Sequence, residues 1–255
     1  MAQTSGNSSF NLDLTELVEE AFERAGGELR TGYDLRTARR SLNIMFADWA
    51  NRGINLWTIE PGTIDLVQGQ NTYALPNDTI DLLEHVIRTG AGNSSTQADL
   101  TLTRISVSTY ATIPNKLTQA RPIQIFISRN SGATYPATSA YSPSATANPQ
   151  FTVWPVPDQG TLASPYYQVI YWRLRRVQDA GEGLQTPDMP FRFLPCITAG
   201  LAYYIAMKIP EGAARIEMLK AAYEEQWNLA AGEDREKAAV RFVPRRMYLG
   251  NTGSF

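Results

Sequence analysis

The chain has almost no sulfur chemistry and almost no imidazole: one cysteine, Cys196, and one histidine, His85, in 255 residues. A single thiol excludes an internal disulfide, a Cys-x-x-Cys redox pair and every Cys-rich zinc site, so a reducing compartment is the expected setting. A single imidazole excludes a two-histidine metal site and leaves a Ser-His-Asp triad only one base to use. Charge of either sign is not in surplus, with 23 Lys+Arg against 25 Asp+Glu and a formal net charge of -2. Holding nucleic acid by the whole surface needs an excess of cations to displace phosphate counterions, so only local patches remain open to that role. The longest apolar stretch, Pro195 to Ile209, is interrupted by Thr198, Gly200 and Lys208. It is shorter than the about 20 residues that span a bilayer, and no membrane partner is expected. The opening MAQTSGNSSF has neither the basic start nor the apolar run of a secretory signal. Gly-x-Gly-x-x-Gly, a Gly-Lys-Thr phosphate loop and His-Glu-x-x-His are all missing, and no cofactor or metal is expected.

What is present is the composition of a globular protein, 43% hydrophobic and 19% charged. Leu14, Leu17, Val18, Ala21, Phe22 and Ala25 recur at three and four, which predicts a helix between Asn11 and Gly27. Asp13 and Glu16 are spaced as a capping box, and Gly26-Gly27 offers a left-handed exit. A second amphipathic run, from Asp34 through Ala38, Leu42, Met45, Phe46 and Trp49 to Gly53, predicts a helix packed antiparallel to the first. From Ile54 to Val177 the periodicity shortens toward two. Strands are expected near Thr63 to Val67, Ile80 to Arg88, Ile123 to Ser128, Gln150 to Trp154 and Tyr166 to Arg175, with weaker ones near Tyr73 and Leu100. Most pairings should be antiparallel, because only Ile105 to Ala111 suggests a helix between strands. Helical spacing returns in Leu194, Ile197, Leu201, Tyr204, Ile205 and Lys208, then in Ile216, Leu219, Ala222, Tyr223, Trp227 and Ala230.

These patterns predict an α+β fold in which N- and C-terminal helix pairs form one bundle that carries an inserted, mostly antiparallel β domain. The expected divisions are a helix pair at 1–53, a β domain at 54–185, a second helix pair at 186–232 and an extended arm at 233–255. Within the β domain, Asn130 to Pro149 is nearly all Ser, Thr, Ala, Pro, Asn and Tyr, and is expected as a flexible loop. Its Tyr135 and Tyr141 are candidate anchors on a neighbouring subunit.

Residues suited to chemistry are scattered. His85 lies inside an expected strand and Cys196 on an apolar helix face, both read as packing rather than catalysis. Glu16, Glu19, Glu20 and Glu23 read as a solvated face, and Asp78 follows Pro76-Asn77 as in a turn. No catalytic residue is assigned, and the protein is not expected to be an enzyme. Arginines bunch at Arg36, Arg39 and Arg40 and at Arg173, Arg175 and Arg176, patterns of a solvated or ion-pairing edge. The C-terminal arm differs, because Arg241, Arg245 and Arg246 alternate with Phe242, Tyr248 and Phe255, the residue types that protein interfaces enrich. These residues are the candidate partner-binding set.

A series of short motifs then falls in a recognisable order. It opens with Ala38-Arg39-Arg40-Ser41-Leu42-Asn43, Asp48-Trp49-Ala50, Arg52-Gly53 and Leu56-Trp57. Val67-x-Gly69, Tyr73-Ala74-Leu75-Pro76-Asn77-Asp78, Ile113-Pro114-Asn115-Lys116 and Arg121-Pro122 follow. Phe151-Thr152-Val153-Trp154-Pro155-Val156-Pro157-Asp158 is the most distinctive, and Leu201-Ala202-x-x-Ile205-Ala206-x-Lys208 completes the series. Collinear from about Leu12 to Pro244, they resemble the head-to-tail adaptors of short-tailed bacteriophages, the tubular-protein-A type. The resemblance implies a virion structural protein: a twelve-subunit homo-oligomeric ring between the portal protein and the tail nozzle protein, through which double-stranded DNA passes without sequence-specific binding. It carries no catalytic residues with it. The 130–149 loop is longer than the family's usual connection. Two alternatives stand beside it: another tail part such as a nozzle component, which should be richer in strands, and a β-sandwich carbohydrate-binding module. For the latter Trp154 and Trp172 could stack on sugars, although their strand positions predict inward packing.

Overall fold

The computed structural model describes residues 4–30, 32–53, 56–129 and 148–234. In chain order the elements are α1 (Leu14–Ala25), α2 (Gly32–Asn51), β1 (Ile59–Leu66), β2 (Thr72–Ala74), β3 (Thr79–Thr89), β4 (Ala98–Thr101) and β5 (Thr103–Ile105). There follow α3 (Val107–Ala111), β6 (Gln124–Ser128), β7 (Gln150–Trp154), β8 (Tyr167–Arg175), α4 (Leu194–Ala206) and α5 (Ile216–Glu233). Short 3-10 turns precede β1, α4 and α5. The α+β class expected from periodicity is the one observed.

α1 forms as its sequence dictates. All six apolar residues at three-four spacing are buried, Asp13 accepts the Glu16 N–H at 2.8 Å, and the Glu16 carboxylate accepts the Asp13 N–H at 3.3 Å. Gly26, at φ 88°, closes the helix in the left-handed region that side chains disfavour. α4 is different in kind: it is buried on nearly every face, from Leu194 to Ala206, as a central helix must be. α1, α2 and α5 each pack on it. The chief neighbour of α1 is therefore α4 and not α2 as the short turn between them predicts, because α4 offers apolar surface all round. Gly200 makes the α4 contact close, since a β-carbon there would stand 2.5 Å from Met45 Sδ and 2.8 Å from the Tyr223 ring. At the centre Trp49 Nε1 donates to Tyr223 Oη at 2.7 Å, and Trp49 rests against Trp227 and Phe193. α5 runs to Glu233, one residue past the boundary expected at 232.

Among the described residues the β region forms two four-stranded sheets, in the orders β1-β8-β3-β4 and β2-β7-β6-β5. Every pair is antiparallel except β5 with β6. That parallel pair is joined through 106–123, which contains α3, the one connection where a crossover was expected. Inward residues of both sheets make a single hydrophobic cluster, including Leu66, Leu82, Ile87, Ile125, Phe151, Val169 and Tyr171, the arrangement of a β-sandwich. β1 starts four residues before the expected Thr63 despite Pro61. It is an edge strand, where a missing N–H breaks no ladder bond.

Helices and sandwich are joined by an arginine ladder. Arg175, almost wholly buried, donates to Glu60 and to both oxygens of Asp188. Arg173 donates to Glu60 and Asp78. Asp188 is on the strap 176–190, which also lends its backbone to the bundle. There the Asp188 carbonyl accepts from Trp57 Nε1 at 3.0 Å, the Gln185 carbonyl accepts from the Leu14 N–H at 3.0 Å, and the Ala180 N–H donates to Asn43 Oδ1 at 2.7 Å. Val177 and Ala180 accordingly belong to the helical cluster.

Candidate functional site

The lone histidine and cysteine are built into packing. His85 is on the inward face of β3 opposite Tyr171. Its Nδ1 is buried without a hydrogen-bond partner among the described residues. Burial first, and Arg104 second, hold its pKa below the usual 6.5. Cys196 is buried in the bundle, and burial pushes its thiol up to about 12, away from thiolate chemistry. Asp78 and Asp81 are not a convergent acid pair: Asp78 is taken by Arg173, and Asp81 by Arg104 at 2.9 Å and Arg129 at 3.4 Å. The described residues contain no group of His, Cys, Asp and Glu able to hold a metal ion. No described helix is long and apolar enough to cross a membrane.

The candidate contact residues Arg241, Phe242, Arg245, Arg246, Tyr248 and Phe255, with Tyr135 and Tyr141, lie outside the described residues. Of the arm expected from 233, Glu233 is still helical and Asp234 Oδ2 accepts the Leu56 N–H at 3.2 Å; the residues from 235 on lie outside the described residues.

Two described surfaces have the character of contact sites. The first is the outer face of the β1-β8-β3-β4 sheet. Register places Trp172 between Pro61 and Glu84, Ile170 between Thr63 and Val86, and Leu174 between Ile59 and Asp81. Trp172 is 39% exposed, which overturns the expectation that it packs inward. The inward positions of β8 are Tyr167, Val169 and Tyr171, and a period of two puts residue 172 on the other side. A bulge between Leu82 and Glu84 adds exposed Leu83 to the same strand. Trp154 is half-buried, its Nε1 donating to the Asn115 carbonyl at 3.0 Å. The second surface is a groove between α1 and the start of α4, lined by Phe10, Leu12, Leu194 and Pro195 and by Glu16, Glu19, Glu20 and Glu23. Three of the four glutamates are exposed, as the solvated face predicts; the apolar floor is not visible in the helix pattern because Leu194 and Pro195 come from α4, about 170 residues along the chain.

The helical motifs lie on α2 and α4 in the bundle, whereas the motifs around Gly69, Tyr73 and Pro157 meet at one corner of the sandwich. Tyr73 Oη donates to the Gln70 carbonyl at 2.8 Å and accepts the Val67 N–H at 2.9 Å. The Gly69 N–H, in a turn with φ 80°, donates to the Pro157 carbonyl at 3.0 Å, and Asp158 accepts the Tyr167 hydroxyl at 2.9 Å. Segments far apart in sequence thus brace each other, and none converges on a reactive group.

A comparison with curated proteins finds no match. The family model described as SU10 adaptor protein matches residues 12–247, a span that holds both hydrophobic clusters and the ladder between them. With over nine-tenths of its length matched, the chain belongs to the SU10 adaptor protein family.

Proposed function

We propose that this phage adaptor-type protein is a head-to-tail connector, a ring subunit seated between portal protein and tail nozzle protein in the virion, with genome DNA passing through the ring. The observation that carries the reading is the family match across both structural units. The twelve-subunit ring, the tubular-protein-A type and the short-tailed phage setting come from the motif resemblance and are part of the proposal. The surface fits a joint: the apolar outer sheet face around Trp172 is larger than one stray residue, and such patches mark protein contacts. A net charge of -2 also suits a conduit, since a strongly basic wall would grip phosphate in a salt-dependent way.

Ring closure needs heterologous interfaces, one patch meeting a different patch on the next copy. Contacts repeated round a ring add avidity without strong pairwise affinity, so the free chain is expected to be mostly monomeric and to assemble on a portal template. Sedimentation velocity tests this, with a monomer alone and a co-sedimenting ring once portal is added. A stable ring of the isolated chain, or no association with portal, contradicts it. Exposure of Trp172 is the one observation that favours the sugar-binding alternative. Glycan binding that is lost in Trp172→Ala would support that second reading.

A further inference from the structure

The groove between α1 and α4, about 560 Å3, combines an apolar floor (Leu12, Leu194, Pro195) with a rim of glutamates. Glu20 is partly neutralised by Arg24 at 2.7 Å, and Glu16 is used in the cap of α1. Glu19 and Glu23 are exposed and make no ion pair among the described residues. Phe10, 76% exposed, lines the same groove.

The rest of the charge ledger points to an occupant. Residues 235–249 contain Arg235, Lys237, Arg241, Arg245 and Arg246 against one acid, Glu236, which leaves residues 1–234 and 250–255 with 18 basic and 24 acidic side chains. The near-neutral total therefore conceals a cationic segment and an anionic body. Between the cations stand Val240, Phe242 and Val243, and Met247 and Tyr248 follow the last of them, apolar side chains suited to an apolar floor. The segment starts at Asp234, held against Leu56. Fully extended at about 3.3 Å per residue, residues 235–249 would span up to roughly 50 Å from that point, a reach comparable with the diameter of a compact chain of this length.

We propose that the α1–α4 groove is the dock for residues 235–249 of a neighbouring copy, with Glu19 and Glu23 meeting the arginines and the floor taking Phe242 or Tyr248. The proposal rests on the chain assembling with copies of itself, as in the ring reading above. It makes the contact heterologous, arm to groove, which is the geometry that propagates around a closed ring.

The test uses the full chain with a photo-crosslinking benzoylphenylalanine at position 242, mixed with an isotopically labelled copy on portal rings. Cross-linked peptides are mapped by mass spectrometry. The expected products join position 242 of one copy to residues 10–24 or 194–198 of the other. Glu19→Lys with Glu23→Lys in the receiving copy should cut their yield about ten-fold, and Arg245→Glu with Arg246→Glu in the donating copy should restore it. Yield should also fall as salt is raised from 0.05 to 0.5 M, since rim charges are screened over about a Debye length. Cross-links confined to one copy, mapping elsewhere, absent, or indifferent to charge reversal overturn the proposal. Binding of the chain to the portal rings, read in the same samples, separates this outcome from failure of the connector reading. A chain that sits on portal but cross-links elsewhere refutes only the groove, whereas one that never binds portal refutes the connector.

Discussion

Arg175 donates to Glu60 and Asp188 from a position where a tenth of its side chain is exposed, and its pKa is raised chiefly by the Asp188 hydrogen bond. Arg175→Met would leave both carboxylates short of donors at the junction of bundle and sandwich. The expected loss is about 2–3 kcal/mol, below the full cost of a buried orphan charge because Glu60 is partly solvated. Urea denaturation measures it, and an unchanged midpoint would show that the ladder does not couple the two units. His85 sets an acid limit. Burial, then Arg104, lowers its pKa from 6.5, with Glu84, the Leu102 carbonyl and Asp81 acting the other way. The unfolded chain therefore holds the extra proton below pH 6.5, so this residue's contribution to stability is present above 6.5 and is lost as pH falls toward the folded value. His85→Leu should flatten that part of the stability curve between pH 6.5 and 5, and denaturation midpoints across the range check it.

At the scale of elements, α4 is the piece on which the other helices depend. Gly200→Ala gains up to about 1 kcal/mol of helix propensity. The new β-carbon meets Met45 Sδ at 2.5 Å and the Tyr223 ring at 2.8 Å, so a net loss of about 1–2 kcal/mol is expected. Gly232→Ala, also in a helix but with open space around it, should instead be neutral or stabilising by about 0.5 kcal/mol. Thermal melts of the pair distinguish packing from propensity. The contrast also marks what sequence could reveal. α1 is legible down to Asp13, Glu16 and Gly26 because its determinants are local, and the strands are legible by alternation except β5, three residues that no expected strand covers. Which helix α1 packs on, and on which side of the sheet Trp172 falls, depend on partners distant in sequence. The arginines of β8 read as an ion-pairing edge, but their burial required knowing that Glu60 and Asp188 converge there. The groove was invisible for the same reason, since its floor and rim come from two helices.

For the whole molecule, Ala230 is the last buried hydrophobic residue of either cluster among the described residues, and Asp234 makes the last described tie to the body. Truncation after Asp234 should therefore leave the melting temperature within a few degrees of the full chain while abolishing assembly on portal. Circular dichroism and sedimentation are the two readouts, and assembly that survives the truncation would remove the arm from the account. The central claim is that this chain acts by mating surfaces in a ring at the junction of head and tail. Electron cryomicroscopy of phage particles containing the chain tests it most directly. The account predicts ring-shaped density of about twelve copies between portal and nozzle, into which the bundle and sandwich fit as built. Density for the chain elsewhere in the particle, or without rotational symmetry, would contradict it.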